Sequence, residues 1–382
     1  MQNDVFYAIG KIIERDSKST TYKFALLRGV IDMIQDNSPY TTVKGDRVSF
    51  PMGLLIEKWL LYYYPILESR IPIPQINGGA RLAFQASFVR LVEAYGPIGG
   101  FSVFYNDLRN KGIPPRLQED FFVLARELRD TIVKMPMKYM GRSISEGFYS
   151  IFQVDKARPK RDPEMDMAFL IRNFGSFSIS VEYYEAFKLV GSFIGGQDSL
   201  LFKWAEFSVN ASKQNLCVGT VVNQVLRSPI TAREISESKR IYKEILEREK
   251  QVHCVWTGNR ITTYDIDHMI PFSIWKNNDL WNLLPSAKRT NNQKRDKIPS
   301  PDLIEKQREL ILHYWEILNE NRSTRFKKEI QVALLGDRPF ATWRQTGIQQ
   351  LQDSCQYLIS GRGYGEWNVG GSSPRSALLR SL

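Results

Sequence analysis

Cysteine and histidine are scarce in this sequence, with three of each among 382 residues. Cys217, Cys254 and Cys355 lie far apart, are odd in number and form no CxxC pair. Neither a disulfide framework nor a zinc ribbon is therefore expected, and a reducing, cytoplasmic compartment fits best. Long apolar runs are also missing. The most apolar stretch, from Met52 to Leu67, is interrupted by Glu57 and Lys58 and is too short to cross a bilayer. The first residues, MQNDVFYAIGKIIERD, have no basic start followed by an apolar core, so no signal peptide is expected. No internal repeat is visible.

Positive charge, by contrast, is abundant. A net charge of +11 and a pI near 9.4 favour a polyanionic partner, nucleic acid before an acidic membrane surface. Hydrophobic residues at 43% and charged residues at 24% are the proportions of an ordinary soluble globular chain, here long enough for two or three domains.

The pattern along the chain predicts a mostly helical region over residues 1–228. Apolar positions at Phe24, Leu26, Leu27, Val30, Ile31 and Ile34 mark a helix over 22–35. Residues 51–67, 80–95 and 115–134 repeat the pattern between Gly/Pro/Asn punctuation. A basic, proline-containing segment over 155–164 reads as a loop that divides this region. Its basic residues, Lys156 to Arg161, are as consistent with a solvated loop as with a DNA contact. Short strands are expected over 149–154 and 176–181, and helices over 182–191 and 199–211. Trp59 with Tyr62, Tyr63 and Tyr64 could stack on bases, but helical spacing favours a core role. A second unit is expected over 229–336, with Thr231 as N-cap of a charged helix and Thr257-Gly-Asn259 as a hairpin turn. Ser300-Pro301 reads as the N-cap and first position of a further helix. Residues 337–382 form a C-terminal extension whose tail, from about residue 370, is expected to be disordered.

The chemistry concentrates in residues 265–297: Asp265-Ile-Asp267-His268-Met-Ile-Pro271, then Asn282, then Asn291-Asn-Gln-Lys294. Cutting a phosphodiester needs a base for the nucleophile, charge compensation at the phosphate and help for the leaving oxygen. His268 suits the first need, since an unperturbed imidazole titrates near ~6.5. Asp267 offers a hard carboxylate oxygen to Mg²⁺ or Mn²⁺, and Asn291 can add a neutral carbonyl oxygen from a helix. Lys294 and Arg295 lie three and four positions past Asn291 and would share its helical face, available to phosphate. Lys288 and Arg289 add positive charge. Asp265 would share the face of Asp267 in a regular strand, as a supporting carboxylate more readily than as a ligand. Adjacent strand residues point to opposite faces, so Asp267 and His268 serve one phosphate only if the strand ends there; Pro271 marks such an end. His253 and His313 read as structural.

Asp267-His268, Asn282 and Asn291-x-x-Lys294 together resemble the motif of HNH endonucleases, the ββα-metal family. The stretch from Cys254-Val-Trp-Thr-Gly258 to Lys297-Ile-Pro-Ser300 is most similar to the HNH domain of the CRISPR type II effector nucleases. The resemblance covers roughly residues 245–300. It implies an α+β chain, with a mostly α-helical N-terminal region followed by a ββα-metal HNH nuclease domain with flanking helices. It implies metal-dependent cleavage of DNA that leaves 5′-phosphate and 3′-hydroxyl ends. By the same resemblance Asp267 is a metal ligand and Asn291 the second, His268 activates water, and Asn282 is the catalytic-motif asparagine that braces the loop between strands and helix. Many relatives carry two CxxC pairs around a structural zinc. Here Cys254 stands alone, with Thr257 where a second cysteine would fall, so no structural zinc is expected, and Trp275 and Trp281 are expected to pack the loop instead.

The resemblance stops at this domain. No arginine-rich bridging helix is visible, so a guide RNA is not implied. One site cuts one strand, so a double-strand break requires a homodimer, a partner subunit or two sequential nicks. The natural setting of such an enzyme is bacterial restriction or anti-phage defence. Two alternatives stay open: an RNA-directed nuclease with the same site, and a catalytically inactive nucleic-acid-binding module.

Overall fold

In the computed structural model the chain forms two compact units, Met1–Ile230 and Thr231–Leu382. The structure describes residues 2–15, 19–79, 81–142, 144, 150–194, 200–213, 215–225, 228–230 and 232–369. The expected N-cap Thr231 and the tail from residue 370 lie outside them.

The first unit is helical around a small antiparallel sheet. Its central helix, Met52–Glu68, is buried on nearly every face, so its apolar residues run almost continuously instead of forming a stripe. Trp59, Tyr62, Tyr63 and Tyr64 all belong to that core: Trp59 packs on Tyr22 and Phe84, and Tyr63 on Trp204. Gly53 permits the closest approach, since a Cβ there would lie 2.1 Å from the Leu170 carbonyl oxygen of helix Met167–Asn173. The helix Tyr22–Gln35 has the bounds that its periodicity predicts.

The sheet is where a helical reading of the early chain fails. Thr42–Lys44 and Arg47–Pro51 form a hairpin through Gly45, whose φ is +61°. Arg47–Pro51 also pairs with Ser176–Ser180, which pairs with Gln153–Val154. β-Branched residues around Lys44-Gly45-Asp46 are the local signal, but the partner strand lies far away in sequence. Between those strands, Lys156, Arg158, Lys160 and Arg161 are exposed on a segment without helix or strand, and Arg161 pairs with Glu119 at 2.6 Å.

The second unit wraps helices around three two-stranded ladders. The helix Ser236–Glu249 leads into an antiparallel pair, Val252–His253 with Arg260–Ile261. Strand Asp265–His268 pairs antiparallel with Leu283–Ser286, and helix Lys288–Lys294 follows. Ser300 caps the next helix, Pro301–Lys306, by accepting from the Leu303 N–H at 3.0 Å. The helices Arg308–Asn321, Ser323–Ile330 and Trp343–Gln356 close the core around Trp256, Trp281, Trp315 and Tyr242. Each fully buried side chain of this size contributes roughly 1.5–3 kcal/mol.

An extension starting at residue 337 is not a separate part of this unit. Trp343, Ile348, Leu351, Cys355, Leu358 and Trp367 are buried in the same core, and Glu366–Trp367 pairs with Ile298–Pro299 in parallel. Their apolar faces need cover, and the rest of this core supplies it. Trp275 and Trp281 meet edge to face at 6.3 Å, and Trp256 meets Trp367 in the same way at 5.5 Å.

Candidate active site

The site is built on the antiparallel pair and the helix after it. Asp267 pairs with Leu284 and His268 with Leu283, so both sit at the end of a ladder. The strand stops at His268 because the chain turns to Asn282 and then to Pro271. The Met269 N–H donates to the Asn282 carbonyl at 2.8 Å. The Ile270 N–H donates to Asn282 Oδ1 at 2.8 Å, and Asn282 Nδ2 donates back to the Ile270 carbonyl at 3.1 Å. The side chain of Asn282 thus satisfies both backbone groups of a fully buried residue, in place of a neighbouring strand. Asn282 touches backbone, not a reacting group. Asn282→Ala is expected to cost about 1–3 kcal/mol for each group left unpaired. Denaturant unfolding checks this, and an Asn282→Ala variant as stable as the parent would refute the brace.

Asp267 and His268 are both buried, and their side chains have separate partners, as alternation in a strand demands. Asp267 Oδ2 accepts from the indole N–H of Trp256 at 2.5 Å. Asp267 Oδ1 accepts from the Lys294 ammonium at 3.1 Å, and that ammonium also donates to the His268 carbonyl at 2.7 Å. Burial pushes the Asp267 carboxyl up from its ordinary range, and Lys294 and the Trp256 N–H oppose the shift. Trp256 is also a face for the lysine, whose ammonium lies 5.6 Å from the ring centroid.

Lys294 is therefore not the surface cation that helical spacing predicted. Its side chain is 0% exposed and is the counter-ion of Asp267. The helix also ends at Lys294, and Arg295 takes a left-handed φ of +54° at its cap, which removes Arg295 from the helical face of Asn291. Arg295, Lys288 and Arg289 are exposed, where polyanions can reach them. Asp265 is half-buried opposite Ser286 in the ladder.

The imidazole of His268 packs on Phe272 at 5.5 Å between ring centroids, and its Nε2 lies 3.2 Å from Asn278 Oδ1. Two backbone contacts orient the Asn278 amide: Nδ2 donates to the Ala232 carbonyl at 3.0 Å, and Oδ1 accepts from the Glu234 N–H at 3.2 Å. An acceptor thus faces Nε2, so the neutral ring carries its proton on Nε2 and leaves Nδ1 with the lone pair. Burial pushes the His268 pKa down to about 4, against the Asn278 bond that raises it, so the ring is neutral at pH 7. Behind this contact, Arg325 donates to the Asn278 carbonyl at 3.3 Å and binds Glu237 and Glu329.

Sequence reasoning missed Trp256, Asn278 and the buried role of Lys294. Trp256 stands in the quoted Cys254-to-Gly258 segment and Asn278 four residues before Asn282, but no local pattern marks either as a partner of the Asp-His pair. His253 contributes backbone only, exchanging bonds with the Tyr314 hydroxyl at 2.9 and 2.6 Å, and His313 is exposed.

Among the described residues no group of three or more His, Cys, Asp or Glu side chains could hold a metal. The donors that remain are the Asp267 carboxylate and the amide of Asn291, on a helix that packs against the strand of Asp267. Asn291 is half-buried and its side chain has no hydrogen-bond partner among the described residues. Each Asp267 oxygen keeps a lone pair beyond its present bond. This oxygen set suits a hard divalent cation that retains most of its waters.

Residues 254–300 match the family described as HNH endonuclease, which supports an HNH domain in this part of the chain and suggests nuclease activity on nucleic acid. HNH nucleases generally use divalent metal ions. The chain as a whole belongs to the family defined by the domain of unknown function DUF8808, which matches residues 2–225. No curated protein and no solved structure matches the chain significantly. No helix among the described residues is long and apolar enough to cross a membrane.

Proposed function

We propose that this protein is a divalent-metal-dependent endonuclease that hydrolyses DNA phosphodiester bonds at the centre formed by Asp267, His268 and Asn291. The observation that carries this reading is the state of His268. A neutral imidazole, with its Nε2 proton directed at Asn278, presents Nδ1 as a base beside a buried carboxylate. Two backbone bonds fix the Asn278 amide, which holds the ring in that tautomer.

In this mechanism His268 Nδ1 takes the proton of the attacking water, and Asn278 Oδ1 stabilises the imidazolium that forms. Asp267 and Asn291 would hold the cation, which when bound supplies charge compensation at the scissile phosphate. Lys294 keeps Asp267 ionised and aligned through its simultaneous hold on the His268 carbonyl. Lys288, Arg289 and Arg295, exposed on and after the site helix, attract the nucleic-acid backbone. The ladder Asp265–His268 with Leu283–Ser286 and the helix Lys288–Lys294 supports reading this part as a ββα-metal unit.

The test is supercoiled plasmid incubated with the full chain in Mg²⁺, in Mn²⁺ and in EDTA, with a matched RNA alongside. Nicking that needs the metal and spares the RNA is the expected result. Cleavage of RNA alone would move the substrate to RNA, and tight binding without cleavage under every condition would make this a binding module.

A further inference from the structure

The second unit begins with a short segment, Ala232 to Glu234, that lies outside both family matches. Its backbone is fastened to the site. Asn278 holds the Ala232 carbonyl on one side of residue 233 and the Glu234 N–H on the other, at 3.0 and 3.2 Å. The same Asn278 Oδ1 lies 3.2 Å from His268 Nε2. Arg233, between the two clamped residues, is exposed and has no ion-pair partner among the described residues.

We propose that Arg233 is a phosphate-binding residue of the nuclease site, delivered by the Asn278 clamp from outside the HNH motif. The inference rests on the nuclease reading above and adds to it a cation from outside the motif. Lys294 is buried against Asp267 and cannot turn outward without leaving that carboxylate unpaired. Arg295, Lys288 and Arg289 lie on or after the site helix. Arg233 is placed differently. The residues on both sides of it are bonded to the amide whose Oδ1 lies 3.2 Å from His268 Nε2. A guanidinium there can bind two non-bridging oxygens at once, which fixes the phosphate as well as attracting it.

The experiment compares the full-length protein with Arg233→Ala, Arg233→Lys and His268→Ala, measuring plasmid nicking with Mn²⁺ or Mg²⁺ over a range of salt concentrations. Arg233→Ala is expected to lose about 10- to 100-fold in kcat/KM, the effect of one charged hydrogen-bonding group. Its log–log salt dependence should flatten by about one ion. Arg233→Lys, which keeps the charge but not the two-pronged contact, should keep the parental salt slope and recover part of the rate, and both Arg233 variants should melt near the parent, since the Arg233 side chain is exposed. If the parent cleaves, His268→Ala does not, and Arg233→Ala matches the parent in rate and salt slope, the nuclease reading stands and this inference is overturned. A folded Arg233→Lys with the flattened salt slope of Arg233→Ala overturns it too, because charge would then not be the cause. Metal-dependent cleavage by none of the proteins on DNA or RNA overturns the nuclease reading and this inference with it.

Discussion

His268→Ala is expected to slow metal-dependent cleavage by about 10²–10⁴-fold, the range for loss of a general base. The loss should fall on kcat, because the imidazole acts on the attacking water and not on the nucleic-acid backbone. Nucleic-acid binding by the variant should match the parent in a gel shift, and added imidazole should restore part of the rate. Rescue matters because His268 is buried against Phe272 and Asn278, so its removal also loosens packing. Packing damage would not respond to imidazole. A variant with the parental rate would remove His268 from the mechanism.

Lys294→Met is expected to have the largest effect on stability. Methionine fills much of the lysine volume but leaves the Asp267 carboxylate buried without its cation. Breaking a buried pair by removing one partner costs about 3–5 kcal/mol. Asp267→Asn alone should also destabilise, since the ammonium then loses its anion while keeping the His268 carbonyl. The double variant Asp267→Asn/Lys294→Met should recover most of the loss, because no uncompensated charge remains. Urea unfolding of the four proteins gives the coupling energy directly. A Lys294→Met variant as stable as the parent but weaker for DNA would return Lys294 to the phosphate-contacting role that its spacing predicted. The Trp256 N–H on the other Asp267 oxygen stays in place throughout and limits how far the carboxylate relaxes.

Much of the helical framework was legible in the sequence. Tyr22–Gln35 and the Ser300-Pro301 start follow from periodicity and capping, which are local properties. The hairpin at Gly45 was not, because its stability comes from pairing with Ser176–Ser180 and its local signal is weak. Arg295 was misplaced for a related reason. Spacing assumes that a helix continues, and this one stops one residue earlier.

The sequence by itself determined which residue types meet at the site: a carboxylate and an imidazole on one strand, a bracing asparagine on the next turn, and an asparagine and a lysine on the following helix. Their spacing is a covalent fact and survives any packing. Only the tertiary structure decided what each does with its charge. Burial turned Lys294 from a surface cation into the counter-ion of Asp267, and it made Trp256 that residue's second donor. The fold brought Asn278 to His268 and tied Ala232 and Glu234, on either side of Arg233, to that asparagine across 46 and 44 residues of chain. Ionisation, tautomer and exposure depend on what surrounds a group in space, and contacts that distant leave no periodic trace in the sequence.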